Sequence, residues 1–245
     1  MPLTYSRKFL NILTFKAWLR GVHHSVHYSQ HISVNTLSNE IPLHRLTLPI
    51  NSMHKNLIAY INKHTHSPLT DEEEVLVAEI FKPKKLRKKQ YFLQEGEVCK
   101  YVGFIVNGAL RQYSVDDKGT EHIVHLYIEN YWAGDRESSI MLTPSRYNID
   151  AWEETELLII TRAEMMDLMQ KIPSLNEMIR NMDERNAIAN QRRLNSTISN
   201  TAEKRYEEFA DNHPQFIQRF PQHLIASYLG ITKETLSRIR KQVMK

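Results

Sequence analysis
Residues 222–242, QHLIASYLGITKETLSRIRKQ, constrain the fold of this chain more tightly than any other segment. Two short amphipathic runs meet at Gly230. A glycine there supplies the positive φ that a sharp turn between helices needs. Ile225, Leu229, Ile231, Leu236 and Ile239 recur at helical spacing on facing sides, and Ala226 is small where the two helices must cross. Thr232 is placed to cap the second helix, which starts at Lys233-Glu234. All these positions fit a helix-turn-helix at once. A plain helical hairpin would ask for the apolar spacing alone.

The second helix leaves a polar, basic face. Offsets of four and eight from Lys233 bring Ser237 and Lys241 onto one side, and Glu234 and Arg238 share the adjacent one. A helix N-terminus entering a major groove can put such side chains on base edges. Arg238 has the fork for a bidentate bond to guanine, and Glu234 can accept from a cytosine amino group. Thr232, Lys233, Ser237, Arg240 and Lys241 complete the candidate DNA-binding set, the cations being suited to phosphates, which position the protein without specifying sequence.

Upstream, the periodicity changes twice. Residues 53–82 read as helical, with Thr70 before Asp71, Glu72 and Glu73 as an N-cap. From 83 to 160 the pattern becomes short β-rich runs with turn signals at Asn107-Gly108 and Lys118-Gly119, and IDAWEETELLIIT reads as one further strand. Closely spaced strands of this kind predict a sandwich or barrel. Residues 163–211 return to helix. The run from Leu175 holds Leu175, Ile179, Met182, Asn186, Ala189, Arg193 and Ser196 at heptad spacing, a seam for dimerisation or for packing on the β-domain. Pro214 ends the next helix, and HPQFIQRFP reads as a link.

Charge placement says more than its sum. The net charge is +4, which only hints at an anionic partner, but residues 232–245 carry five Lys/Arg against Glu234 alone. The basic run KPKKLRKKQ, beginning at Lys82, reads as a solvated strand edge, far in sequence from the helix-turn-helix. Residues 1–52 hold five of the twelve His and one acid, Glu40, and read as a disordered extension, a segment ahead of a later start at Met53, or a targeting peptide. No apolar run is long enough to predict a membrane span.

Several chemistries lack material. Cys99 is the one cysteine, so neither an intramolecular disulfide nor an all-Cys metal site can form; this suits a reducing cytoplasm. His122 and His125 are three apart, so on a regular strand they face opposite sides and do not join Glu129 as metal ligands. With seven glycines in 245 residues, a Gly-rich phosphate loop has little to be built from. No catalytic residue, metal or cofactor is expected, and the chain does not read as an enzyme.

The order of blocks from about 60 to 245 resembles the CRP/FNR family of bacterial transcription regulators, and TKETLSRI is similar to that family's recognition helix. The resemblance implies an α+β chain: a cyclic-nucleotide-binding-like β-roll with flanking helices over 53–170, a dimerisation helix over 171–199, and a helix-turn-helix domain over 200–245. It also implies a homodimer on double-stranded DNA, contact with RNA polymerase, and a cytoplasmic location. In this family's nucleotide binders a Gly-Glu pair and a later Arg hold the ligand. Here Gly134-Asp135 takes the first place and Ser145 the second, with Arg146 one residue on. A one-residue shift turns a side chain to the other face of a strand, so the phosphate partner is lost and cyclic AMP is not expected. The stretch 214–221 is also too short for the family's wing hairpin. The competing reading is a sensor module that acts through protein contacts; the effector is unknown on either reading.

Overall fold
The computed structural model describes residues 50–243. The N-terminal extension lies outside them for all but its last residues. Two helices come first: α1 (Ser52–Lys63), capped by Asn51, and α2 (Asp71–Ile80), opened by a capping box in which the Thr70 hydroxyl accepts from Glu73 N–H and the Glu73 carboxylate accepts from Thr70 N–H.

Eight strands follow: β1 (Lys82–Leu86), β2 (Tyr91–Leu93), β3 (Tyr101–Asn107), β4 (Leu110–Val115), β5 (Glu121–Tyr127), β6 (Trp132–Ala133), β7 (Asn148–Ala151) and β8 (Thr155–Thr161), with the short helix α3 (Arg136–Met141) between β6 and β7. They form two antiparallel four-stranded sheets, ordered β1-β8-β3-β6 and β2-β7-β4-β5. The run IDAWEETELLIIT is therefore two strands in different sheets, not one. Thr155 explains the corner between them: its buried hydroxyl donates to the carbonyls of Ala109 and Glu153, which fixes the bend after Trp152.

Both outer faces of the roll are covered, so adjacent strand residues are buried together. Leu157 and Ile105 point into the roll beside Leu86, Leu110, Tyr127 and Ile149. Their neighbours Leu158 and Phe104 point outward and pack with Leu57, Ile61, Val77 and Phe81 of the first two helices. The helices α4 (Arg162–Lys171) and α5 (Pro173–Ser199) continue this layer through Leu168, Leu175 and Met178.

The other sheet's outer face carries the C-terminal helices α6 (Ala202–Asn212), α7 (Pro214–Arg219), α8 (Gln222–Tyr228) and α9 (Lys233–Val243). Tyr113, Ile123 and Leu126 of the sheet share a core with Phe209, Phe216, Phe220, Leu224, Ile225, Leu236 and Ile239. The stretch read as a link is thus helical at α7: Pro214 occupies its first turn, where a missing N–H costs nothing, and Phe216 is buried.

Candidate nucleic-acid interface
Gly230 has φ of +66° with open space where a side chain would stand, so the turn asks for a backbone conformation rather than for room. The Ile231 N–H donates to the Ala226 carbonyl at 3.0 Å and closes the turn. Leu236 and Ile239 are buried at 0% and 2% exposure, which fixes the rotation of α9. That rotation turns Lys233, Glu234, Arg238 and Lys241 to solvent, with Ser237 and Arg240 half-buried. Thr232 accepts from Thr235 N–H at 3.2 Å as a cap, and Arg238 donates to the Thr235 hydroxyl at 3.3 Å, so the guanidinium is held along the exposed side.

The helix-turn-helix is fastened to the β-roll by specific polar contacts. Ser227 of α8 accepts from Ile123 N–H of β5 at 2.9 Å. Arg193 of α5 donates to the carbonyls of Val124 at 2.6 Å and Tyr228 at 3.0 Å, and its guanidinium lies 3.9 Å from the Tyr228 ring centre. Arg219 bridges Glu129 at 2.9 Å and also pairs with Glu153. Arg193 thus joins the long helix to a strand of the roll and to the helix-turn-helix at once.

These contacts change the reading of α5. Arg193 and Ser196, taken in sequence as seam positions, face the same chain; Ser196 donates to Glu208 at 2.8 Å. Leu175 is likewise buried against the roll. Among the described residues, the large apolar side chains that α5 leaves exposed are Ile188, Leu194 and Ile198, at 50%, 62% and 77%, with Ala187 exposed beside them. Ala187, Leu194 and Ile198 recur at seven and four residues and form one stripe. Heptad counting missed it because it started at Leu175, whose face belongs to the intramolecular core.

His125 sits beneath Arg193. Its pKa is lowered to about 4, first by burial and then by the nearby guanidinium. The folded state therefore binds the imidazole's proton later than the unfolded chain, whose His titrates near 6.5. The stabilisation is complete above that pH and is lost as pH falls toward 4. Between pH 7 and 5 the loss from this residue should be about 2 kcal/mol. Denaturant midpoints of wild type and His125→Gln at the two pH values check this; the wild type should lose more.

The effector-site residues are brought together, but onto each other. Asp135 is buried; one carboxylate oxygen accepts from Glu137 and Ser138 N–H at 3.1 and 3.3 Å, and the other accepts from the Ser145 hydroxyl at 2.7 Å. Asp135 N–H, next to Gly134, in turn donates to the Cys99 sulfur at 3.3 Å. The hydrogen-bonding capacity of the site's acid is thus taken up by its own neighbours. Arg146 points out to solvent, 3.4 Å from Glu137. Cys99 is buried, and burial pushes its thiol pKa up, which keeps it protonated and unreactive. His122 bonds Asp116 at the exposed β4–β5 turn, whereas His125 stacks on Tyr127. A cleft of about 250 Å³ lies between Lys89, Tyr91, Arg111 and Trp152, but Asp150 and Glu121 already take the Arg111 guanidinium.

The family model for the cyclic nucleotide-binding domain matches residues 83–172. The transcriptional activator protein Anr of Pseudomonas aeruginosa is 24% identical over 183 residues, spanning 70% of this chain and 74% of the relative. Among solved structures, FixK2 from Bradyrhizobium japonicum aligns with a TM-score of 0.58 at 19% identity, covering 67% of this chain and 85% of that one. A CooA mutant from Carboxydothermus hydrogenoformans aligns at 0.53 and 18%, covering 66% and 75%. The class is a cyclic-nucleotide-binding-type β-roll joined by a long helix to a C-terminal helical domain. Within that class, the sequence is similar to a transcriptional activator, Anr, and the fold is similar to those of FixK2 and CooA. No helix among the described residues is long and apolar enough to cross a membrane.

Proposed function
We propose that the protein is a homodimeric, sequence-specific binder of double-stranded DNA that regulates transcription from the cytoplasm, reading the major groove with α9. The exposed row Lys233, Glu234, Arg238 and Lys241, with half-buried Ser237 among them and backed by buried Leu236 and Ile239, carries this reading. A helix so rotated offers its polar face and no apolar one. Arg238 and Glu234 are the base readers; Lys233, Arg240 and Lys241 neutralise phosphates, and Thr232 fixes the helix start. The Ala187, Leu194 and Ile198 stripe of α5 supplies the dimer seam, and a basic, DNA-bound dimer is the form that would meet RNA polymerase.

The same reading removes cyclic nucleotides as effectors. A cyclic phosphate needs a cation in its pocket, and the pocket's second position is Ser145, already bonded to Asp135. Gly134 and Asp135 keep the local turn without offering a free carboxylate.

Selection from random duplexes with purified protein tests the proposal. A two-fold symmetric motif, with half-sites about one helical turn apart, is expected. Enrichment of a single asymmetric half-site would remove the dimer; no enrichment would return the molecule to a sensor acting through protein contacts.

A further inference from the structure
The basic run that begins at Lys82 is divided by the fold. Lys82–Leu86 is the edge strand β1, where Lys85 pairs with Glu156 and Lys84 lies 5.6 Å from the Phe92 ring centre. Arg87, Lys88 and Lys89 stand beyond it in a turn, all exposed, and none of the three forms an ion pair among the described residues.

That turn is fixed in place. Gln90 N–H donates to the Arg87 carbonyl at 2.9 Å, and the Gln90 side chain accepts from Arg87 N–H at 3.0 Å. Lys89 adopts φ of +67°, and its N–H donates to the Ala151 carbonyl; Ala151 N–H returns a bond to Gln90. The turn is therefore pinned to the end of β7, beside Trp152.

Trp152 connects it to the helix-turn-helix. Lys88 Nζ lies 5.5 Å from the Trp152 ring centre, and the same ring meets His223 of α8 edge-on at 6.2 Å. Residues 87–89 and 223 are far apart in sequence and adjacent in space. The carboxylates around them are mostly engaged: Asp150 and Glu121 by Arg111, Glu153 by Arg219, and Glu156 by Lys85, on which the exposed Glu154 also acts. The positive charge of the turn is thus left to solvent.

In a helix-turn-helix complex the first helix crosses the phosphate backbone while the second enters the groove. The α8 end bearing His223 then borders the backbone beside the bases read by α9. From this placement we infer that Arg87, Lys88 and Lys89 form an accessory clamp for DNA phosphates flanking the recognised bases, supplied by the β-roll rather than by the helix-turn-helix. This rests on the proposed DNA-binding function. The clamp carries no sequence information; it raises affinity and salt dependence equally on all sequences.

The test is a salt titration of binding to a long mixed-sequence duplex, read by fluorescence anisotropy, for full-length wild type, the triple variant R87Q/K88Q/K89Q, and K55Q. Lys55 is exposed on α1, on the opposite side of the roll. Each lost phosphate contact lowers the slope of log K against log salt by about 0.9, so the triple variant should lose about 2–3 per protomer while K55Q keeps the wild-type slope. An unchanged slope in the triple variant overturns the clamp and leaves the turn to an acidic protein surface. An equal fall in K55Q also overturns it, because net charge alone then explains the effect. Wild type that shows no salt-dependent duplex binding refutes the DNA-binding function itself.

Discussion
Replacing Leu194 and Ile198 together by glutamate should convert the protein to a monomer and lower its affinity for a symmetric site by at least about a hundredfold. The two side chains are the most exposed aliphatic groups of α5 and have no partner within their own chain among the described residues. Burying each against a second copy would contribute about 1.5–3 kcal/mol per side chain. Glutamate removes that contribution and sets like charges facing each other across the seam. DNA binding then suffers because two half-sites joined in one molecule bind far more tightly than either alone. Sedimentation and anisotropy on the same preparations check both parts. The substituted positions face solvent in the single chain, so its thermal midpoint should hardly change. Replacing Arg193 and Ser196, the positions that heptad counting favoured, should leave the dimer intact and instead loosen the helix-turn-helix from the roll.

Arg238→Ala should have the second largest effect. A bidentate Arg–guanine contact carries about 1–3 kcal/mol of discrimination, so affinity for the selected site should drop about fivefold to a hundred-and-fiftyfold. The loss should be confined to one base pair per half-site, where the variant would accept any base. Lys241→Ala, by contrast, should weaken all sequences alike and reduce the salt slope by about one. Competition binding with singly substituted duplexes separates the two outcomes.

The C-terminal motif was legible because its constraints are local. Gly230, Ala226 and the spacing of Leu236 and Ile239 define a turn and two faces within twenty-one residues, and the structure shows that turn and those faces. The Thr70 cap was readable for the same reason: a hydroxyl and a carboxylate three residues apart satisfy each other's backbone. The exchange at Ser145 could also be counted along the chain. That Ser145 would bond Asp135 could not, since it depends on how α3 folds back.

What sequence could not show were the contacts between distant segments. The face of α5 that meets its own chain depends on Arg193 reaching Val124 and Tyr228, across separations of 69 and 35 residues. The basic turn at Arg87–Lys89 looked remote from the helix-turn-helix because nothing in a linear reading brings Trp152 against His223. The corner at Thr155 is hidden for a related reason: an apolar run buried on both sides reads the same whether it stays in one sheet or changes to another.

The ratio of affinities for a selected symmetric duplex and a scrambled duplex of equal length, at physiological salt, tests the central claim most directly. A groove-reading helix-turn-helix dimer should prefer the selected duplex by at least about a thousandfold, with both affinities falling steeply as salt rises. Equal binding to the two duplexes, or binding indifferent to salt, would contradict the assignment of α9 as a reader of DNA sequence.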